Sequence, residues 1–261
     1  MRLSLPYGPL RLDRKDKPPR GFDPRESGNE MGVPAPAVYL PVTVEVPGYG
    51  KLSLSPQPNA PLLMVFGGID VAESVIDPAD KAHAKDMIQS GVYMWKYFNN
   101  LKSRYHIFVA HNPKVNGALA YRYVLFTLQW KGFPPAVCPV KEPDPFSGPS
   151  QVLYLFSGGY KPGIELLKNY PLKLFSTICL VDIWMGSKSI GSYYENLAAA
   201  NAGKTYYIHT SFGANNDAAR DSIARSLGSS RSKLVKGKPG ESGMQTHMRT
   251  NEEATSRLVL P

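Results

Sequence analysis

Four short apolar runs constrain most of what this chain can fold into. Pro61 to Phe66 (PLLMVF), Tyr105 to Ala110 (YHIFVA), Gln151 to Phe156 (QVLYLF) and Phe175 to Ile183 (FSTICLVDI) place apolar residues on both alternating sets of positions. A strand apolar on both faces must be covered on both, which points to a parallel sheet layered with helices rather than a half-exposed antiparallel one. Segments of helical character lie between the runs. Ser90 to Arg104 sets Val92, Trp95 and Phe98 at helical spacing, and Ala118 to Trp130 reads as a second helix closed by Gly132. Pro162 to Lys168 and Ile190 to Ala200 follow as helices, then Thr205 to Thr210 (TYYIHT) as a strand and Asn216 to Leu227 as a helix capped by Asn215 or Asn216. The alternation predicts an α/β fold, a mostly parallel sheet with helices on both faces. Val38 to Val46 (VYLPVTVEV) has the period of a strand, and Pro41 assigns it to an edge.

Composition enters mainly as exclusion. The chain has 261 residues, enough for one large domain or two small ones. Residues 1–36 mix charge, Pro and Gly without an apolar period and read as an extended or loop-like N-terminal arm, leaving 37–261 as the α/β domain. The charge is +9 and the pI about 9.4, but the two basic blocks, Arg11 to Arg20 and Arg231 to Lys238, sit among Pro, Gly and Ser as solvated loops. Without a basic helix stripe interleaved with aromatics, or a GxxxxGK phosphate loop, no nucleic acid partner is expected. Val65 to Asp70 (VFGGID) lacks the GxGxxG spacing of a dinucleotide site. No apolar run reaches the ~18 residues a membrane span needs, so no transmembrane segment is expected. Met1 to Leu10 lacks the apolar core of a signal peptide, so the expected location is cytoplasmic, or exported by a route without a cleaved leader. Cys138 and Cys179 form neither a disulfide framework nor a zinc pattern, and His106 and His111, flanking one strand, lack a carboxylate at metal-ligand spacing. No metal and no cofactor are therefore expected.

In an open parallel sheet, ligands bind beyond the carboxyl ends of the strands. Three strand ends carry candidate chemistry. Gln151 to Phe156 runs into Ser157-Gly158-Gly159 and then a helix, so a serine hydroxyl stands on a sharp turn beside a helix N-terminus and a free backbone N–H. Phe175 to Ile183 ends with Asp182, a carboxylate on a very apolar strand that is costly unless paired. Pro61 to Phe66 ends in Gly67-Gly68. Tyr93, Trp95, Tyr121, Tyr160, Trp184, Tyr193 and Tyr194 make the regions near the strand ends aromatic, although most such side chains are expected in the core.

The segment Leu155-Phe156-Ser157-Gly158-Gly159 resembles the GxSxG nucleophile elbow of the α/β-hydrolase family, with Gly159 at the second small position and Leu155 departing from the first. Asp182 to Gly186, Tyr206 to Thr210 and Gly213 to Asn216 look like bacterial members of that family, and the resemblance covers about residues 38–260. It implies a serine hydrolase acting through a covalent acyl-enzyme. Ser157 is then the nucleophile, His247 the base in a loop ahead of a helix over Asn251 to Leu258, and Asp182 the orienting acid, with Asp217 as the alternative. The N–H groups of Gly158 and of Gly68 or Ile69 are the implied oxyanion donors. His209 is the rival base, expected to be bonded within its sheet. The implied substrate is an ester or amide, small or polymeric, with a lipid or cell-envelope polymer among the candidates. The contrasting reading is a catalytically inactive binding module on the same fold, supported by Leu155. The oligomeric state is left open.

Overall fold

The computed structural model describes residues 42–57, 59–68, 90–129, 144–146, 148, 150–211 and 217–259. The arm expected at 1–36, Ile69, Cys138, Gly132 and the two asparagines at 215 and 216 lie outside them. The strands are β1 (Val42–Val46), β2 (Gly50–Leu54), β3 (Leu62–Phe66), β4 (His106–Ala110), β5 (Gln151–Phe156), β6 (Phe175–Val181), β7 (Thr205–His209) and β8 (Ser232–Leu234). The helices are α1 (Ser90–Phe98), α2 (Gly117–Gln129), α3 (Tyr160–Asn169), α4 (Lys188–Ala200), α5 (Asp217–Leu227) and α6 (Gly243–Val259).

All eight strands join one sheet in the order β1-β2-β4-β3-β5-β6-β7-β8. Among the described strands only β2 runs against the rest, pairing antiparallel with β1 and β4. The expected fold class is the one observed, with β1 as the edge strand. Two strands have no counterpart in the apolar pattern: β2 (GKLSL) and the three-residue β8 (SKL).

Every residue of β3, β4 and β5 is buried, as their continuous apolar character requires. The period of two then divides the core between the faces of the sheet. Met64, Phe66, Leu153, Leu155 and Leu180 face α2, α3, α4 and α5, meeting Tyr121, Leu166, Tyr194 and Ile223. Val65, Tyr154, Phe156 and Val181 face α1 and α6, meeting Met94, Phe98, Met248 and Leu258. The carboxyl ends of β3, β5, β6 and β7 thus come together at the centre of one sheet rim.

Candidate active site

β5 passes into α3 through the single turn Ser157–Gly159, and Ser157 takes φ 51°, a left-handed conformation that a non-glycine residue adopts only when its surroundings impose it. The surroundings here are backbone. A Cβ on Gly159 would lie 2.2 Å from the Phe66 carbonyl oxygen, so β3 and the turn approach closer than any side chain permits. The Trp184 N–H donates to the Ser157 carbonyl at 3.2 Å, tying the turn to the segment after β6.

Leu155, the departure from GxSxG, is fully buried against α3. Its counterpart is Gly163. A Cβ there would stand 2.6 Å from Leu155 Cδ1 and 3.2 Å from the Tyr194 hydroxyl. The close approach of helix to strand is therefore kept with its small residue moved from strand to helix. Gly163 is the sequence signal that accompanies Leu155.

Asp182 follows β6 with φ 42° and its N–H donating to the Ile208 carbonyl at 2.7 Å. Its carboxylate accepts from the Thr210 N–H at 2.9 Å and the Thr210 hydroxyl at 2.7 Å. His247 Nδ1 stands 2.5 Å from Asp182 Oδ2. Burial pushes the Asp182 carboxyl up, but the His247 imidazole and the two Thr210 donors outweigh it, holding the acid below its ordinary value. A carboxylate that accepts from Thr210 twice leaves Nδ1 of His247 as the donor and Nε2 as the basic nitrogen. Ser157, Asp182 and His247 retain only 9, 8 and 7% of their exposure. The His247 ring also stacks on Phe156, with centroids 4.7 Å apart, which seats the imidazole beside the residue preceding Ser157.

Several expectations need correction. His247 stands inside α6 rather than in a loop before it. The helix begins at Gly243 because Ser242 and Gln245 make a reciprocal cap: the Gln245 N–H donates to Ser242 Oγ at 3.2 Å, and the Ser242 N–H to Gln245 Oε1 at 2.8 Å. The Ser-x-x-Gln spacing was the available signal. Arg249 grips Glu241 with Nε and one terminal nitrogen at 2.9 and 2.8 Å, anchoring the preceding loop to the helix that carries His247.

The Gly158 N–H is not free. It donates to the Gly68 carbonyl at 2.7 Å, so the two glycines expected to line an oxyanion site are bonded to each other. Asp217, the alternative acid, is largely exposed at the start of α5 and pairs with Arg220 rather than with a histidine. His209 is not bonded through Nδ1, which is buried and finds no partner; its ring lies parallel to Tyr207, 4.6 Å away, and burial pulls its pKa down. His106 Nδ1 accepts from the Ser55 N–H at 3.0 Å, while His111 pairs with Glu45 at 2.5 Å, so both have structural partners. A threonine ending a strand has no sequence pattern that marks it as the donor to Asp182 that Thr210 is. Among the described residues, no three His, Cys, Asp or Glu side chains gather as a metal site, and no helix is long and apolar enough to cross a membrane.

No family model matches the chain, and no curated protein matches it. Among solved structures, a predicted CIB-like hydrolase from Thermoplasma acidophilum overlaps 84% of this chain and 95% of its own, at 14% identity and a TM-score of 0.42.

Proposed function

We propose that the chain is a serine hydrolase of the α/β-hydrolase type that cleaves an ester or amide through an acyl-enzyme on Ser157. The observation that carries this reading is the buried Asp182–His247 pair, seated through Phe156 against the strained turn that presents Ser157. His247 Nε2 takes the Ser157 hydroxyl proton as Oγ attacks the carbonyl carbon, and Asp182 keeps Nδ1 protonated and stabilises the imidazolium. The same proton passes to the leaving alcohol or amine as its bond to the acyl carbon breaks. Water then repeats the sequence, losing a proton to His247 and releasing the acid.

The negative charge on the tetrahedral oxygen needs a donor, and the Gly158 N–H lies next to the attacking residue. It serves only if the substrate oxygen displaces the Gly68 carbonyl now bound to it. That occupied donor is the one observation favouring the second reading, a non-catalytic binding module. The two readings part on labelling by a fluorophosphonate probe with peptide mapping. Labelling at Ser157 that vanishes in Ser157→Ala and weakens in His247→Ala supports the hydrolase; a folded protein that takes no label supports the module.

A further inference from the structure

Beyond the reacting groups, a cavity of about 390 Å³ opens between the loop after β4, the first turns of α3 and the start of α4. Its apolar lining is Val115, Tyr160, Ile164 and Ile190, and its charged lining is Lys114, Lys161 and Glu165. Glu165 is paired along its own helix with Lys168 at 3.4 Å, whereas Lys161 rides over the Tyr160 ring at 5.9 Å. The volume is in the range of small-molecule sites, and the pattern is an aliphatic and aromatic wall with ammonium groups around it.

Tyr160 is the residue that the cavity lining shares with the neighbourhood of the elbow. Tyr160 follows Ser157 by three positions, and its ring lies 5.2 Å from that of Trp184. Trp184 donates its backbone N–H to the Ser157 carbonyl, yet its side chain remains 39% exposed. The indole is pinned rather than loose, because a Cβ on Gly186 would stand 1.9 Å from its ring. An exposed tryptophan bonded to the candidate nucleophile through its backbone and in ring contact with a cavity-lining tyrosine offers a ligand apolar surface to cover.

We propose that this cavity is a substrate subsite for an anionic group, so that the preferred ester or amide carries a carboxylate or similar anion at the far end of an apolar spacer. The identification as a substrate subsite rests on the hydrolase reading; the binding preference does not. Tyr160, Ile164 and Ile190 cover the spacer, while Lys114 and Lys161 meet the anion with charge-assisted contacts that a neutral isostere cannot make. Glu165 opposes the anion and sets the sign of a control.

The test compares 4-nitrophenyl monoesters of glutaric, adipic and suberic acids with their methyl-capped neutral counterparts. At low salt, the best-fitting acid is expected to exceed its neutral partner about tenfold in kcat/KM, and added salt should shrink the ratio. Lys114→Gln combined with Lys161→Gln is expected to bring that ratio to about one, and Glu165→Gln to raise it, a change that a purely structural role would not produce. Equal rates for acid and neutral esters, or a ratio indifferent to both charge changes, overturns the proposal. Calorimetry on Ser157→Ala with adipate monoanilide and its methyl ester separates the two readings. Stronger binding of the acid in a protein that hydrolyses no ester sustains the anion subsite and overturns the hydrolase. Equal binding alongside ester hydrolysis does the reverse.

Discussion

Ser157 and Asp182 both follow a central parallel strand, and among the described residues they are the two non-glycine residues with positive φ. They reach that conformation by different means. Aspartate tolerates the left-handed region comparatively well, and Asp182 is further held by its own carboxylate, which accepts both Thr210 donors. Serine lacks that tolerance, so the strain at Ser157, about 1–3 kcal/mol for such a residue, has to be imposed from outside. The contact of Gly159 with the Phe66 carbonyl and the Trp184 N–H on the Ser157 carbonyl impose it. One bend is fixed by what its side chain binds, the other by what its neighbours leave no room for. The first should therefore break through chemistry and the second through volume.

The first expected effect is on volume. Gly159→Ala inserts a methyl 2.2 Å from a backbone oxygen that cannot move without disturbing β3. It should cost about 3 kcal/mol or more in denaturant unfolding. Ordinary stability in that variant would mean the elbow is not closed by packing. Asp182→Asn should leave the fold standing but lower kcat about 10⁴-fold, because the amide no longer holds His247 in the required tautomer. Unchanged kinetics on any ester found by screening would reduce Asp182 to architecture.

The exchange of Leu155 and Gly163 can be measured separately. Leu155→Ala should cost about 2–5 kcal/mol and Gly163→Ala about 1–3 kcal/mol, since one empties and the other overfills the same space. The double variant should fall short of their sum by at least about 0.5 kcal/mol in a double-mutant cycle. Strict additivity would show that the two residues do not compensate for one another.

The smallest effects are pH-dependent. Asp182 titrates below its ordinary 3.8, so its contribution to stability is complete above that value and is lost as the pH falls through the lower folded value. Thr210→Val removes one donor to the charged form, so its melting temperature should drop less than that of the wild type on going from about pH 6 to pH 3. Glu241, drawn down to about 2 from 4.5, mainly by Arg249, behaves with the same sign. Glu241→Gln should flatten the loss of melting temperature between about pH 5 and pH 2. A slope identical to wild type would show that the Arg249 clamp does not steady the start of α6.

Much of this arrangement was legible from residue order. Strands buried on both faces announce themselves as unbroken apolar runs, so β3, β4, β5 and most of β6 were readable, together with Ser157 and Asp182 at their ends. β2 was hidden because its Gly and Lys interrupt the pattern; Gly50 is required where a Cβ would meet the Val109 carbonyl at 2.2 Å. β8 has too few residues to show a period, and its middle and last residues are exposed. The true start of α6 was concealed by polar residues, since it depends on side-chain capping rather than on apolar spacing. The bond between Gly158 and Gly68 was unreadable in principle, because it depends on which way one peptide faces.

The placement of His247 also bears on the order of assembly. The imidazole arrives on the last helix, which docks through Met248, Ala254 and Leu258 and through a 2.8 Å hydrogen bond from the Tyr154 hydroxyl to Asn251 Oδ1. Its partner Asp182 lies 65 residues earlier, so their contact closes a long loop whose entropy must be met before any return. During synthesis from the N-terminus, Ser157 and Asp182 are made before His247. On the proposed function, a chain emerging from the ribosome would stay chemically silent until α6 has docked on the finished sheet, and reactivity at Ser157 would be a readout of finished folding.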